Sequence, residues 1–190
     1  MPVLTSNAVA NQALQLVGDN QPPITGSYPN FDSSAAGNAM VNLYPWAVRT
    51  VGRQSSWDFS RSVAALVATA NVAPLGYAFE YLYPASAVQI WQLAPLALAD
   101  PNNPLPVDWN VGNTLVVGVQ TKVIWTNLAS AQAIFANMPD PSTWDPGAQE
   151  AIVRLIASEL AVAIAGRLDT AQSYLESSSQ IGATMAERTD

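Results

Sequence analysis

Neither cysteine nor histidine occurs in the 190 residues. Without cysteine there are no disulfides, no thiolate nucleophiles and no zinc–sulfur sites. Without histidine the commonest general base and metal ligand is missing, and with it every Ser-His-Asp or Cys-His device. Few hydrolase mechanisms remain. Charge is scarce as well: 11% of residues are charged, against roughly 25% in an ordinary soluble domain. Cations are the scarcer sign, with seven Lys and Arg against 14 Asp and Glu and a net charge of −7. That balance argues against tight duplex binding, which depends on neutralising phosphates. Although 49% of residues are hydrophobic, no uninterrupted apolar run approaches the ~20 residues of a bilayer span. The stretch from Met1 to Asn7 lacks the basic region and apolar core of a signal peptide. The chain is therefore expected to be soluble, without a membrane association, and made in the cytoplasm. Its low charge fits a surface covered by other subunits; a neutral surface rich in Ala, Ser and Asn accounts for it equally.

What is present is helical periodicity at both ends of the chain and a different texture between them. Thr5 to Val17 reads as a helix, with Val9, Ala13, Leu16 and Val17 on one face and Gly18 as its stop. Residues 19–32 carry Pro22, Pro23, Gly26 and Pro29 and are expected to lack regular structure. Asp32 or Ser33 then caps a second helix, in which Ala36, Met40, Leu43, Ala47 and Val51 recur at helical spacing. Pro45 lies inside it and predicts a kink or a break, because it removes an N–H and collides with the carbonyl of Val41.

From Trp57 to about Asn127, short aromatic or β-branched runs alternate with turn residues. Tyr77–Tyr83, Ala87–Leu93, Thr114–Val119 and Thr121–Thr126 are strand candidates, with Gly118 marking a bulge or turn. Val63–Thr69 is ambiguous, since its alanines permit helix. The chain returns to helical periodicity at Trp144-Asp145-Pro146. Asp145 is placed as the N-cap, Pro146 as the first helical residue, and Glu150 and Arg154 as a surface pair. Ile152, Leu155, Ile156 and Leu160 form an apolar seam at helical spacing, continued by Ala163 and Ile164. Gly166 interrupts, and Leu168, Ala171, Tyr174 and Leu175 suggest a last helix. Beyond Ser177-Ser178-Ser179 the pattern thins to Ile181 and Met185, and this tail is expected to be disordered or to order on a partner.

Chemistry has few candidates. Asp140 and Asp145 flank Trp144 and form the nearest approach to a glycosidase pair, but a Pro turn and a helix cap are the roles their positions predict. Asp100-Pro101-Asn102-Asn103 lacks the ligand density and closing Glu of a calcium loop. Gly112-Asn113 and Gly118 match no phosphate-cradling motif. The six Trp and six Tyr, with so few cations beside them, suit core and subunit-interface packing better than nucleic-acid stacking. No cofactor, metal or catalytic residue is assigned.

Several stretches, taken in order, resemble the head–tail connector (adaptor) proteins of short-tailed bacteriophages, of the kind called tail tubular protein A. They are Ala13-Leu14-Gln15-Leu16-Val17-Gly18 with Ile24-Thr25 after it; Leu43-Tyr44-Pro45-Trp46-Ala47-Val48-Arg49 leading to Ser55-Ser56-Trp57-Asp58-Phe59-Ser60; Gly76 to Ser86; and Phe135 to Ala165. Ser60 stands where that family usually has Ala, and Ser86 where it usually has Asp. The resemblance implies a non-enzymatic virion protein, found in the host cytoplasm during assembly. It implies a ring, twelve-fold, between the portal protein and the tail nozzle, through which DNA passes without specific binding.

The fold expected is α+β: a helical bundle from the N- and C-terminal segments with an inserted, mostly antiparallel β-sheet region. The divisions are residues 1–56, helical; 57–136, the β insertion; 137–177, the C-terminal helices; and 178–190, a docking tail. In that tail Ile181, Met185 and Arg188 are the candidate contacts to the portal. The competing expectation is a carbohydrate-binding or hydrolytic virion protein using Trp91, Trp109 or Trp144.

Overall fold

Local capping chemistry sets the first helix. In the computed structural model, which describes residues 4–18, 22–54, 57–96, 107–138, 140–163 and 168–186, α1 runs Ser6–Val17. The Thr5 hydroxyl accepts the N–H of Ala8 at 3.2 Å, and Gly18, at φ 68°, closes the other end with its N–H on the Gln15 carbonyl. A non-glycine residue in that left-handed conformation would be strained. Asn11 then fastens the next segment, exchanging bonds with the Ile24 backbone at 2.8 and 2.9 Å, and Ile24 is buried. Regular structure does appear before residue 32, contrary to expectation. The two short strands β1 (Gly26–Ser27) and β2 (Asn30–Phe31) pair antiparallel about the cis Tyr28–Pro29 bond.

The second helix, α2, spans Ala35–Gln54. Its cap lies one or two residues later than expected: the Ser34 hydroxyl accepts the Gly37 N–H at 2.9 Å, while the Asp32 carboxylate holds Ser34 in place. Gly37 is required here because a Cβ would overlap Asp32. Pro45 does not end α2, which continues for nine residues beyond it. Met40 and Tyr44 before the proline and Ala47 and Val51 after it are all buried. Burial of about 1.5–3 kcal/mol per large apolar side chain holds both halves and offsets the one helical hydrogen bond that proline forfeits.

Asp145 and Pro146 act as their positions predict. The Asp145 carboxylate accepts the Gly147 N–H at 2.8 Å, and α3 runs Pro146–Ala163. Arg154 meets Glu150 at 2.6 Å one turn away. Ile152, Leu155, Ile156 and Leu160 are at most 2% exposed. The last helix, α4, spans Leu168–Ala186, and α1, α2 and α4 all pack against α3. Met138, Phe59 and Trp57 join this core, Trp57 donating its indole N–H to the Val51 carbonyl at 3.0 Å.

Between the flanking segments lie six strands: β3 (Arg61–Ala65), β4 (Phe79–Leu82), β5 (Gln89–Pro95), β6 (Trp109–Val116), β7 (Val119–Thr126) and β8 (Ala131–Ala136). They form two antiparallel three-stranded sheets, ordered β3-β8-β5 and β4-β7-β6. The ambiguous Val63–Thr69 segment is extended: β3 ends at Ala65, and Ala68 bridges to Tyr81 of the other sheet. Phe135 lies on β8, inside the expected β insertion, and is buried with Tyr81, Ile90, Leu93 and Ile124 in the core of these strands. The chain is thus mixed α+β, with four α-helices and three antiparallel sheets among the described residues. It divides into two units, one of residues Met1–Ser60 with Met138–Asp190, the other Arg61–Asn137.

Candidate functional site

The expected docking tail is where structure and sequence pattern differ most. The boundary at residue 178 falls inside α4. Ser178 is 2% exposed and donates its hydroxyl to the Ala151 carbonyl at 3.0 Å. Ile181 packs against the helical core. Polar residues hid this because Ser177 and Ser178 satisfy their hydroxyls on helix carbonyls, so a serine-rich face can be buried without leaving a polar group unpaired. Of the three docking candidates, Ile181 is a core contact of its own chain, Met185 lies in the last turn of α4, and Arg188 lies outside the described residues.

The acidic pair does not act as a pair. Asp140 accepts the Ser142 N–H at 2.9 Å and starts a 3₁₀ turn (Pro141–Thr143), while Asp145 caps α3. The bonds from Ser142 hold the Asp140 carboxyl below the usual carboxylate range. Each carboxylate serves its own turn. Of the tryptophans considered for sugar binding, Trp144 is buried and stacks on Tyr44, Trp109 packs on the core of the strands, and Trp91 is half-buried. Burial pushes the Tyr44 hydroxyl pKa up, and Asp140 and Tyr28 add to the shift. Asp100-Pro101-Asn102-Asn103 and Gly166 lie outside the described residues.

A buried acid that the sequence reading passed over is Glu80, on β4. Trp125 Nε1 donates to its Oε2 at 2.8 Å; Thr69 Oγ1 and Asn71 Nδ2 donate to its Oε1 at 2.8 and 3.0 Å. Burial raises its pKa, but the three donors outweigh that and hold the carboxyl below its ordinary value. The sequence signal was available: a lone Glu in an aromatic strand, opposite a Trp once β4 and β7 pair. Its partners are structural donors rather than a nucleophile or a second acid. Asn71 also donates to the Leu115 carbonyl at 3.0 Å, so the network ties the segment before β4 to the β6–β7 hairpin.

That hairpin ends in Val117-Gly118, both at positive φ (50° and 80°), the geometry of a type I′ turn. Val117 is 98% exposed, and Leu115 and Val119 beside it are exposed too. Asn or Gly is the usual occupant of such a position, and a β-branched residue there is strained.

Two clefts lie among the described residues of the helical unit. One, of about 480 Å³, runs along Gln12, Leu16, Gln149, Val153 and the Glu150–Arg154 pair. The other, of about 380 Å³, is bounded by Thr5, Tyr28, Tyr44 and Asp140. Neither brings a nucleophile to a base. Among the described residues no three carboxylates gather where a metal ion could sit, and no helix is long and apolar enough to cross a membrane. The well-formed features are packing networks and exposed surfaces. No family model matches the chain, and no curated protein is significantly similar to it.

Proposed function

We propose that the chain is a structural virion protein, the subunit of a head–tail connector ring that joins a portal protein to a tail nozzle. In this reading the two flanking helical segments make a bundle around α3, and the strands are an insertion that reaches toward neighbouring subunits or tail proteins. The protein acts without catalysis or a cofactor, and its net charge of −7 repels DNA, so that DNA passes without sticking.

The observation that carries the reading is how the ends of the chain meet. Segments separated by the whole strand region pack on one helix, and the seam of α3 is closed by α1, α2 and α4 of the same chain. With α3 covered from within, the surfaces left for assembly are the outer faces of the helices and the apolar hairpin tip. Low overall charge suits such contacts, since interface centres are depleted in charged residues. One contact repeated between different faces closes into a ring.

Negative-stain electron microscopy of the purified protein, alone and with added portal rings, tests this. Rings, free or seated on the portal, are expected. Monomers that leave the portal bare under both conditions would reject the proposal.

A further inference from the structure

Tyr44 on α2 is 7% exposed, and its hydroxyl has no hydrogen-bond partner among the described residues. Its ring stacks on Trp144 and leans on Tyr28, with centroids 6.4 and 5.3 Å away. Packing accounts for the ring and leaves the hydroxyl without a role. A buried hydroxyl without a partner is destabilising and uncommon. This one belongs to a residue on the wall of the cleft of about 380 Å³ in the helical unit, a size that suits a small ligand. Burial raises its pKa, and Asp140 and Tyr28, which share that wall, raise it further, so the three groups converge on the cleft.

The other polar residues of the wall decide what the cleft can hold. Apart from Asp140, each carries a hydroxyl: Thr5, Ser6, Ser27 and Tyr28. Thr5 accepts the N–H of Ala8 and Ser6 accepts the N–H of Tyr28 at 3.0 Å, so both keep their O–H protons to donate. Tyr28 is 42% exposed and leaves ring surface open. The bonds from Ser142 hold the Asp140 carboxyl below the usual range, so it is a carboxylate at neutral pH. Among the described residues no Lys or Arg lines the cleft. An anion would therefore meet Asp140 with no counter-charge. A cation would meet the N-terminal end of α1 at Thr5 and Ser6, where the helix dipole is positive. A neutral ligand rich in hydroxyls incurs neither cost. It gives O–H groups to Asp140 and offers lone pairs to the hydroxyls of the wall. A sugar ring adds a C–H-rich face, which packs on an aromatic ring.

We propose that this cleft binds the ring of a neutral saccharide, with Tyr28 against one face of the sugar and the Tyr44 hydroxyl and the Asp140 carboxylate on its hydroxyl groups. The site binds without cleaving, since Asp140 has no second acid beside it on the wall. It stands independently of the ring reading, because every residue in it belongs to the helical unit of one chain.

A printed array of neutral, sulfated, sialylated and amino-bearing oligosaccharides, probed with the full chain, tests the proposal. Binding to neutral glycans is expected, about tenfold or more tighter than to sulfated or sialylated forms of the same glycan. The best neutral glycan is then titrated calorimetrically into three variants. Tyr44→Phe keeps the ring and removes the hydroxyl. It should bind about tenfold more weakly yet melt no lower than wild type, because no internal bond is lost. Tyr28→Ala should also weaken binding about tenfold by removing the platform. Asp140→Asn keeps an oxygen for the Ser142 N–H, and its preference for neutral over acidic glycans should narrow. The proposal is overturned if the wild type binds no glycan, if it binds acidic glycans as tightly as neutral ones, or if Tyr44→Phe and Tyr28→Ala bind as wild type does. A lower melting temperature for Tyr44→Phe would also overturn it, since the hydroxyl would then have an internal partner. None of these outcomes bears on whether the chain forms a ring.

Discussion

Ser178 on α4 donates its hydroxyl to the backbone carbonyl of Ala151 on α3, 27 residues earlier, at 3.0 Å. That bond lies beyond the point where the apolar pattern of the last helix fades, so α4 belongs to the helical core as far as Ile181. Removing residues 178–190 should therefore destabilise the helical unit, because the cut takes Ser178 and Ile181 out of it. The expected loss is about 2–5 kcal/mol, the scale of deleting a large core side chain. The full-length chain is the reference. Thermal melts followed by circular dichroism distinguish the two; equal melting temperatures would show that α4 contributes nothing past Ser177.

Glu80 makes a prediction about acid. Its buried carboxylate accepts from Trp125, Thr69 and Asn71, and its folded pKa lies below the ordinary value of 4.5. A depressed folded pKa means that the stabilisation is fully present above pH 4.5 and is lost as pH falls through the lower, folded value. Glu80→Gln places an amide N–H₂ against at least one of these donors and should cost about 1–3 kcal/mol at neutral pH. Urea melts of wild type and variant between pH 3 and 7 should converge toward the acid end. A gap between them that is constant with pH would mean that the charge of Glu80 does not matter.

Gly112 on β6 supports the same tryptophan. A Cβ at this position would overlap the indole ring of Trp125, and that ring cannot move without giving up its bond to Glu80. Gly112→Ala should cost about 1–3 kcal/mol, as overpacking does, although Ala is ordinarily the better residue in a strand interior. Asn113→Ala, next to it on the exposed side of the strand, is the control. Stabilisation by Gly112→Ala in a thermal melt would refute the steric argument.

Val117 occupies a turn position with positive φ. Val117→Asn replaces a β-branched residue with one that tolerates this conformation and creates the Asn-Gly pair favoured in type I′ turns. Stability should rise by about 1 kcal/mol, seen as a higher urea midpoint at unchanged slope. If stability falls, the Val117 side chain has packing partners that its 98% exposure denies.

The sequence alone determined those features whose physics is local. Thr5 and Gly18 bound α1, Asp145 and Pro146 start α3, and the spacing of Ile152, Leu155, Ile156 and Leu160 marks its buried side. Each depends on atoms within about a turn of backbone. Strand texture was legible for the same reason, because alternation and turn residues are short-range. The absence of His and Cys excluded whole classes of chemistry before any fold was known.

Tertiary structure decided the rest, because there the deciding partner is far along the chain. Pro45 stays inside α2 because Met40, Tyr44, Ala47 and Val51 are buried on both sides of it. The helix continues through Ser178 because Ala151 supplies an acceptor. Ala131–Ala136 is a strand because β3 and β5 flank it, which its own composition does not announce. Glu80 sits buried and satisfied because pairing of β4 with β7 brings Trp125 opposite it. In each case a local preference, worth at most about 1 kcal/mol per residue for ordinary residues and about 3 kcal/mol for an interior proline, yields to burial and hydrogen bonding worth more.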